Sequence, residues 1–173
     1  MNISVHPRSF TVEFEEEQKV IITNVKVSSP QETSLAAMAE ARAIWDTGAE
    51  MCMITEKFAE QMGLPVLGRI NVRGVNHETS TDLCLADIQL PNGMILPSVS
   101  IAKCEILPPA DCSVIIGMSV IKSSDFSISH KNGQTLFSFR KPSMKRTDYV
   151  RVEERRDKWL LILRRLKGFR RNR

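Results

Sequence analysis

The sequence predicts a mainly β body carrying one or two short helices, followed by a basic amphipathic helix. Three observations support this. Phe10, Val12 and Phe14 alternate with polar residues, β-branched residues crowd into runs such as VIITNVKV at 20–27, and Pro-Asn-Gly at 91–93 and Asn-Gly at 132–133 supply tight turns. Beyond Pro142 the alternation gives way to helical spacing dense in Arg and Lys.

Taken in order, residues 10–14 and 20–27 read as two strands across a charged turn. The stretch 28–40 contains SLAAMAEA, whose Ala, Met and Glu favour helix by intrinsic propensity. An apolar lead-in, ARAIW, runs into Asp46-Thr47-Gly48-Ala49, and a short helix follows at 55–63, with Thr55 as its N-cap and Gly63 past its end. After Pro65, residues 69–75 and 79–90 form a hairpin about 75–78, and 91–93 turns the chain into MILPSVSIA. Residues 114–117 read as a short buried strand, and Ser119 or Ser123 is placed to cap a brief helix. Residues 126–139 form a last hairpin about Asn132-Gly133. The final helix, 148–168, sets Val152, Trp159, Leu163 and Leu166 on one stripe. The change of character near 141–146 divides the chain into a β domain, 1–141, and a basic helical tail, 142–173.

At 173 residues, 42% of them hydrophobic and only 6% aromatic, the chain is long enough for one good core and is not dominated by disorder. Residues 1–139 hold ten Lys/Arg and sixteen Asp/Glu, a net charge of −6, whereas 140–173 hold fourteen and four, a net charge of +10. The basic character therefore belongs to the tail, and any attraction to nucleic acid or an acidic membrane surface is confined to it. Cys52, Cys84, Cys104 and Cys112 lack CxxC spacing and are not clustered with His6, His77 or His130, so neither a metal site nor a cofactor is expected. The first nineteen residues contain no apolar run after a basic start, and no stretch approaches the ~20 apolar residues that span a bilayer. Free thiols and a cytoplasmic, reducing location are the expectation.

The chemistry concentrates at Asp46. Two carboxylates that share a proton can activate a water between them, because like charges a few ångströms apart cannot both ionise easily. Such an Asp needs a tight loop: Gly48 allows close backbone approach, and Thr47 offers a hydroxyl to an opposing loop. Asp-Thr-Gly alone is also a good turn or cap sequence, so its surroundings decide. They are the apolar lead-in, the short helix ending in Gly63-Leu64-Pro65, a hairpin containing Gly74-Val75-Asn76, and Val114-Ile115-Ile116-Gly117 some 65 residues on.

Over residues 20–139 these features resemble the retropepsin-like aspartic proteases, in their single-lobed homodimeric form. The resemblance implies a small closed β barrel with its site on a dimer axis and flaps folding over a bound peptide. By position, Asp46 matches the catalytic Asp, Thr47 the threonine that grips its symmetry mate, and Gly48 and Ala49 the loop receiving substrate main chain. Gly74, Val75 and Asn76 match the flap, while Ile115, with Gly117 after it, matches a segment lining a substrate pocket. On this reading 28–40 becomes a turn and strand despite its helical propensity. Ser119 stands where family members often carry Asp or Asn. Asn76-His77 replaces flap glycines, and Glu50, Met51 and Cys52 give the loop beside the site an unusual character.

Only Asp46 among the Asp residues opens an Asp-Thr-Gly or Asp-Ser-Gly motif, so one chain supplies half a site and a homodimer supplies the pair. The implied activity is an aspartic endopeptidase, hydrolysing peptide bonds by water held between two Asp46 carboxylates, with a peptide or protein as substrate and partner. The rival is a dimeric peptide-binding or scaffolding module that cleaves slowly or not at all. His77 reads more simply as a solvated turn residue than as a pH sensor, and Cys52 as an inert buried thiol. For the tail the simplest reading is packing with its basic residues outward, beside an acidic membrane surface or nucleic acid as partner.

Overall fold

The structure is a computed structural model that describes residues 1–32, 34–73, 78–105 and 109–171. Two sheets make up the body. In the first, β1 (Asn2–His6), β2 (Ser9–Phe14), β10 (Asp125–Lys131) and β11 (Gln134–Arg140) lie antiparallel in the order β1-β2-β11-β10. In the second, β3 (Ile22–Ser28), β4 (Ala39–Trp45), β5 (Cys52–Thr55), β6 (Val66–Arg73), β7 (Glu78–Gln89), β8 (Ile95–Cys104) and β9 (Val114–Ile116) follow the order β3-β4-β9-β5-β8-β7-β6. A further pairing of β3 with β7, Val27 opposite Ile88, closes six of these strands into a barrel and leaves β6 outside it on β7. Closure removes the open edges that an isolated sheet would expose.

Among the described residues there are three α-helices, α1 (Glu56–Gln61) and α2 (Met118–Ile121) between strands and α3 (Tyr149–Arg171) after the last strand. The chain divides into two compact units, Met1–Ser143 and Met144–Arg173. The second consists of α3 and the segment leading into it, where the Asp148 carboxylate accepts a hydrogen bond from the Arg151 amide at 3.2 Å and caps the first turn.

The local signals explain most boundaries. Gly63 takes φ +57° just after α1, its N–H donates to the Glu60 carbonyl and that of Leu64 to the Ala59 carbonyl, the paired bonds of a Schellman stop. Asn132 and Gly133, at φ 57° and 76°, form the left-handed two-residue turn that suits the twist of the β10–β11 hairpin. The hairpin of β6 and β7 forms in register, Arg73 opposite Glu78.

Other expectations need correction. β2 and β3 are consecutive but not partners; β2 lies between β1 and β11, and β3 between β4 and β7. Strand β1 was not anticipated, because its five residues are all exposed and it is held by its ladder to β2. In 28–40, by contrast, the turn and strand implied by the family resemblance are found: the helical propensity yields only a 3₁₀ turn, Leu35–Ala37, before β4 begins at Ala39, since pairing of β4 with both β3 and β9 outweighs a few tenths of a kcal/mol per residue of propensity. Neither serine caps α2. Gly117 is its extended N-cap residue, Ser119 lies within the helix, and Ser123 follows it.

The barrel interior is filled by Val25, Val27, Ile54, Ile88, Ile101 and Ile116, all essentially without exposure. Where the four-stranded sheet covers one end of β4, Phe10, Phe137 and Phe139 surround Trp45, with ring centroids between 4.8 and 6.0 Å apart. The indole N–H of Trp45 donates to the buried Thr23 hydroxyl at 2.9 Å, so its one polar atom is satisfied in the core. Trp45 immediately precedes Asp46, which makes this aromatic cluster the footing of the loop that follows. Phe137→Ala is expected to lower unfolding free energy by about 3–5 kcal/mol, read as a lower urea midpoint at unchanged slope.

Candidate active site

The Asp46 loop is positioned by an unusual strand order. β4 and β5 are consecutive in sequence but are separated in the sheet by β9, which runs parallel to β4 and antiparallel to β5. Residues 46–51 must therefore cross the end of β9. The crossing is tied down by backbone bonds: the Asp46 amide donates to the Ile116 carbonyl at 3.1 Å, the Met118 amide to Ala49 at 2.8 Å, and the Ser119 amide to Glu50 at 2.9 Å. The last two donors belong to the first turn of α2, whose N–H groups have no partner within the helix, so loop carbonyls satisfy them.

Gly117 is what allows this contact. A Cβ at its position would lie 2.3 Å from the Met51 carbonyl oxygen and 2.8 Å from that of Ala49, far inside contact distance with backbone that cannot swing away. Its own amide donates to the Cys52 sulfur at 3.4 Å, and the same sulfur shares a 3.4 Å hydrogen bond with the Ser119 hydroxyl. Cys52 is fully buried beneath the loop.

Within the loop, the half-buried Asp46 accepts a 2.7 Å hydrogen bond from the Gly48 amide on Oδ1, which fixes the carboxylate against its own turn. Thr47 and Gly48 are exposed, and Ala49 is half-buried. Ile115 sits opposite both Ile44 and Met53 in the sheet and packs with Ile44, Cys112, Ala49 and Met53 in a small apolar cluster outside the main core. The structure thus brings Asp46, Thr47, Gly48, Ala49, Ile115 and Gly117 together around one crossing. Gly74, Val75 and Asn76, together with His77, lie outside the described residues.

A cleft of about 490 Å³ opens beside the loop. One wall is Gly48, Ala49, Glu50, Met51 and Met53, and the other is Asn71, Val72, Arg73 and Glu78 from the facing ends of β6 and β7. Sequence reading singled out the first wall's Glu50 and Met51 but missed the second; the signal for it was the hairpin register, which brings Arg73 and Glu78 level with each other. The contact of Cys52 with Gly117 and Ser119 was missed as well, since no spacing rule links residues so far apart in the chain.

Burial raises the pKa of all four thiols, in Cys52 against the opposing effect of the bonds from Ser119 and Gly117, and in Cys104 to about 11, with the nearby Glu56 carboxylate adding to the rise. They are free, and none is poised as a thiolate nucleophile at neutral pH. Among the described residues no group of three His, Cys, Asp or Glu side chains could hold a metal ion. The Asp46 carboxylate lies on the clamped loop, two residues before the Gly48 that begins the first wall of the cleft.

Residues 36–120, which include this loop, β9 and the first three residues of α2, match the family model described as aspartyl protease. Over that stretch the chain is similar to the aspartyl proteases. No curated protein matches it. Among solved structures it is similar to a retropepsin-like aspartic protease from Rickettsia conorii, at 12% identity over 80% of this chain and 96% of that one, with a TM-score of 0.49. It is similar also to EIAV protease complexed with the inhibitor HBY-793, at 14% identity over 61% and 88% with a TM-score of 0.47. A third is the retroviral protease-like domain of Ddi1 from Leishmania major, at 18% identity over 69% and 95% with a TM-score of 0.39.

Two outcomes follow from the site's construction. Gly117→Ala should destabilise the fold by about 1–3 kcal/mol and speed hydrogen exchange at the amides of Met118 and Ser119, measured by urea unfolding and mass-resolved exchange. For Cys104, a folded-state pKa raised from 9.0 to about 11 means that the unfolded chain loses its proton first. Its contribution to stability is present below pH 9 and lost as pH rises toward 11, so Cys104→Ser should flatten the decline of the urea midpoint over that interval.

Proposed function

We propose that this chain is an aspartic endopeptidase that works as a homodimer, each copy contributing one Asp46 carboxylate. The observation that carries the reading is the clamped loop: Asp46 stands at the end of β4 on a turn tied to β9 and α2, beside a cleft with room for a peptide. In the reaction one Asp46 takes a proton from the attacking water while the other, protonated, donates to the scissile carbonyl, and the proton returns to the leaving amine. No metal is needed for that exchange. A two-fold axis through the loops would give the pair of carboxylates that a single Asp-Thr-Gly cannot.

The remaining roles follow the same reading. Thr47 bonds across the axis to its symmetry mate, and Gly48 and Ala49 offer main chain to an extended substrate. Gly74, Val75 and Asn76 close over it, and Ile115 presents an apolar wall to a substrate side chain, with Gly117 holding that wall against the loop. Apolar residues flanking the scissile bond suit Met51, Met53 and Val72 on the two cleft walls. Residues 1–141 are the peptidase domain, 142–173 an appendage, and the cytoplasm, where the four thiols stay reduced, the location.

Cleavage of a mixed peptide library from acidic to neutral pH tests this, with the solution mass measured in parallel. Asp46→Asn should lower turnover by at least about 10²–10⁴-fold while the mass stays that of a dimer. A well-folded wild-type dimer that cleaves nothing at any pH would instead leave a peptide-binding module.

A further inference from the structure

Helix α3 carries a surface that nothing in the peptidase reading uses. Trp159, Leu160, Leu161 and Ile162 are consecutive and exposed, at 60%, 43%, 55% and 49% of their full surface. Successive residues on an α-helix point about 100° apart, so these four face outward around the whole circumference rather than along one stripe. Basic residues stand on both sides of this belt: Arg155, Arg156 and Lys158 before, interspersed with Glu153, Glu154 and Asp157, and Arg164, Arg165 and Lys167 after, in a stretch, 164–173, without an acidic residue. Of Arg155, Arg156 and Lys158, only Arg156 is engaged by a neighbouring carboxylate, Glu153, at 3.4 Å.

Two classes of anionic partner would take the charge. Nucleic acid would neutralise the arginines but offers no medium for four adjacent large apolar side chains. The interface of an anionic bilayer takes both at once, the apolar belt among the upper acyl carbons and the Arg and Lys stems reaching back to the phosphates on either side. No described helix is long and apolar enough to cross a membrane, so the contact would be with its surface. We infer that α3 docks the protein on anionic lipid bilayers through the Trp159–Ile162 belt and the basic residues flanking it. The net charge of +10 over residues 140–173 draws the tail to such a surface.

The test is flotation of the full chain with vesicles of phosphatidylcholine alone and of phosphatidylcholine containing phosphatidylglycerol. Trp159 emission is followed in parallel, because the second tryptophan, Trp45, is already buried and contributes a constant signal. The inference expects binding at least about tenfold tighter to the anionic vesicles, weakened by raised salt, with a blue shift of Trp159 emission. The double substitution W159E/I162E should abolish the binding, and R155E/K158E should reduce it to the level of neutral lipid; all these positions are exposed, so circular dichroism and the urea midpoint of the body should not change. Equal or absent binding to both kinds of vesicle would overturn the inference. So would vesicle binding that survives W159E/I162E, or binding of a single-stranded RNA oligonucleotide by a chain that ignores anionic vesicles.

Discussion

The body is organised around the passage of the chain over the end of β9. Because β9 lies between β4 and β5, the segment joining those two strands cannot be a simple hairpin; it has to cross a third strand at van der Waals distance. The crossing works only where the underlying residue has no side chain, and Gly117 occupies that point with two carbonyls of the loop above it. Everything that gives Asp46 a defined position follows: the amide bond to Ile116, the α2 donors on Ala49 and Glu50, and the sulfur of Cys52 beneath. The loop that carries the Asp46 carboxylate is thereby held by backbone, the least mobile part of a protein, rather than by the rotamers of its neighbours.

The second support is the aromatic cluster. Trp45 ends β4 with its ring in the core and its polar atom bonded to Thr23, so the residue before Asp46 is fixed in direction as well as depth. The rings that hold it come from the other sheet, Phe10 from β2 and Phe137 and Phe139 from β11. Barrel and four-stranded sheet are therefore joined through the residue that immediately precedes Asp46.

How much of this was legible in the sequence depends on the range of the interaction. Turns and helix ends set by a residue's own backbone preference, such as Gly63 and Asn132-Gly133, were readable, as were buried strands such as 114–117. Asp46, Thr47 and Gly48 were readable as a loop motif. Elements whose existence depends on a distant partner were not: β1 buries nothing of its own, and β2 and β3, adjacent in sequence, belong to different sheets. Ser119 looked like a cap because serine so often is one, whereas the acceptors for the α2 amides are carbonyls some seventy residues earlier. The facing wall of the cleft was hidden for a related reason, since Arg73 and Glu78 are unremarkable surface residues until a hairpin register sets them beside the loop.

The four-stranded sheet joins the earliest and the latest strands of the body: β2 pairs with β11 along its length, Phe10 opposite Phe139. During synthesis, then, the cavity that receives Trp45 has no wall on one side until residue 139 has been made. β3 with β4, and β6 with β7 and β8, can pair as they emerge, but the link between β4 and β5 has to wait for β9, and the footing of the Asp46 loop needs β11 as well, through contacts of very long sequence separation that close slowly. A nascent or C-terminally interrupted body would carry the Asp-Thr-Gly motif in full and still lack the rigid loop that gives it meaning, so the final strand acts as a check on whether the chain has been completed.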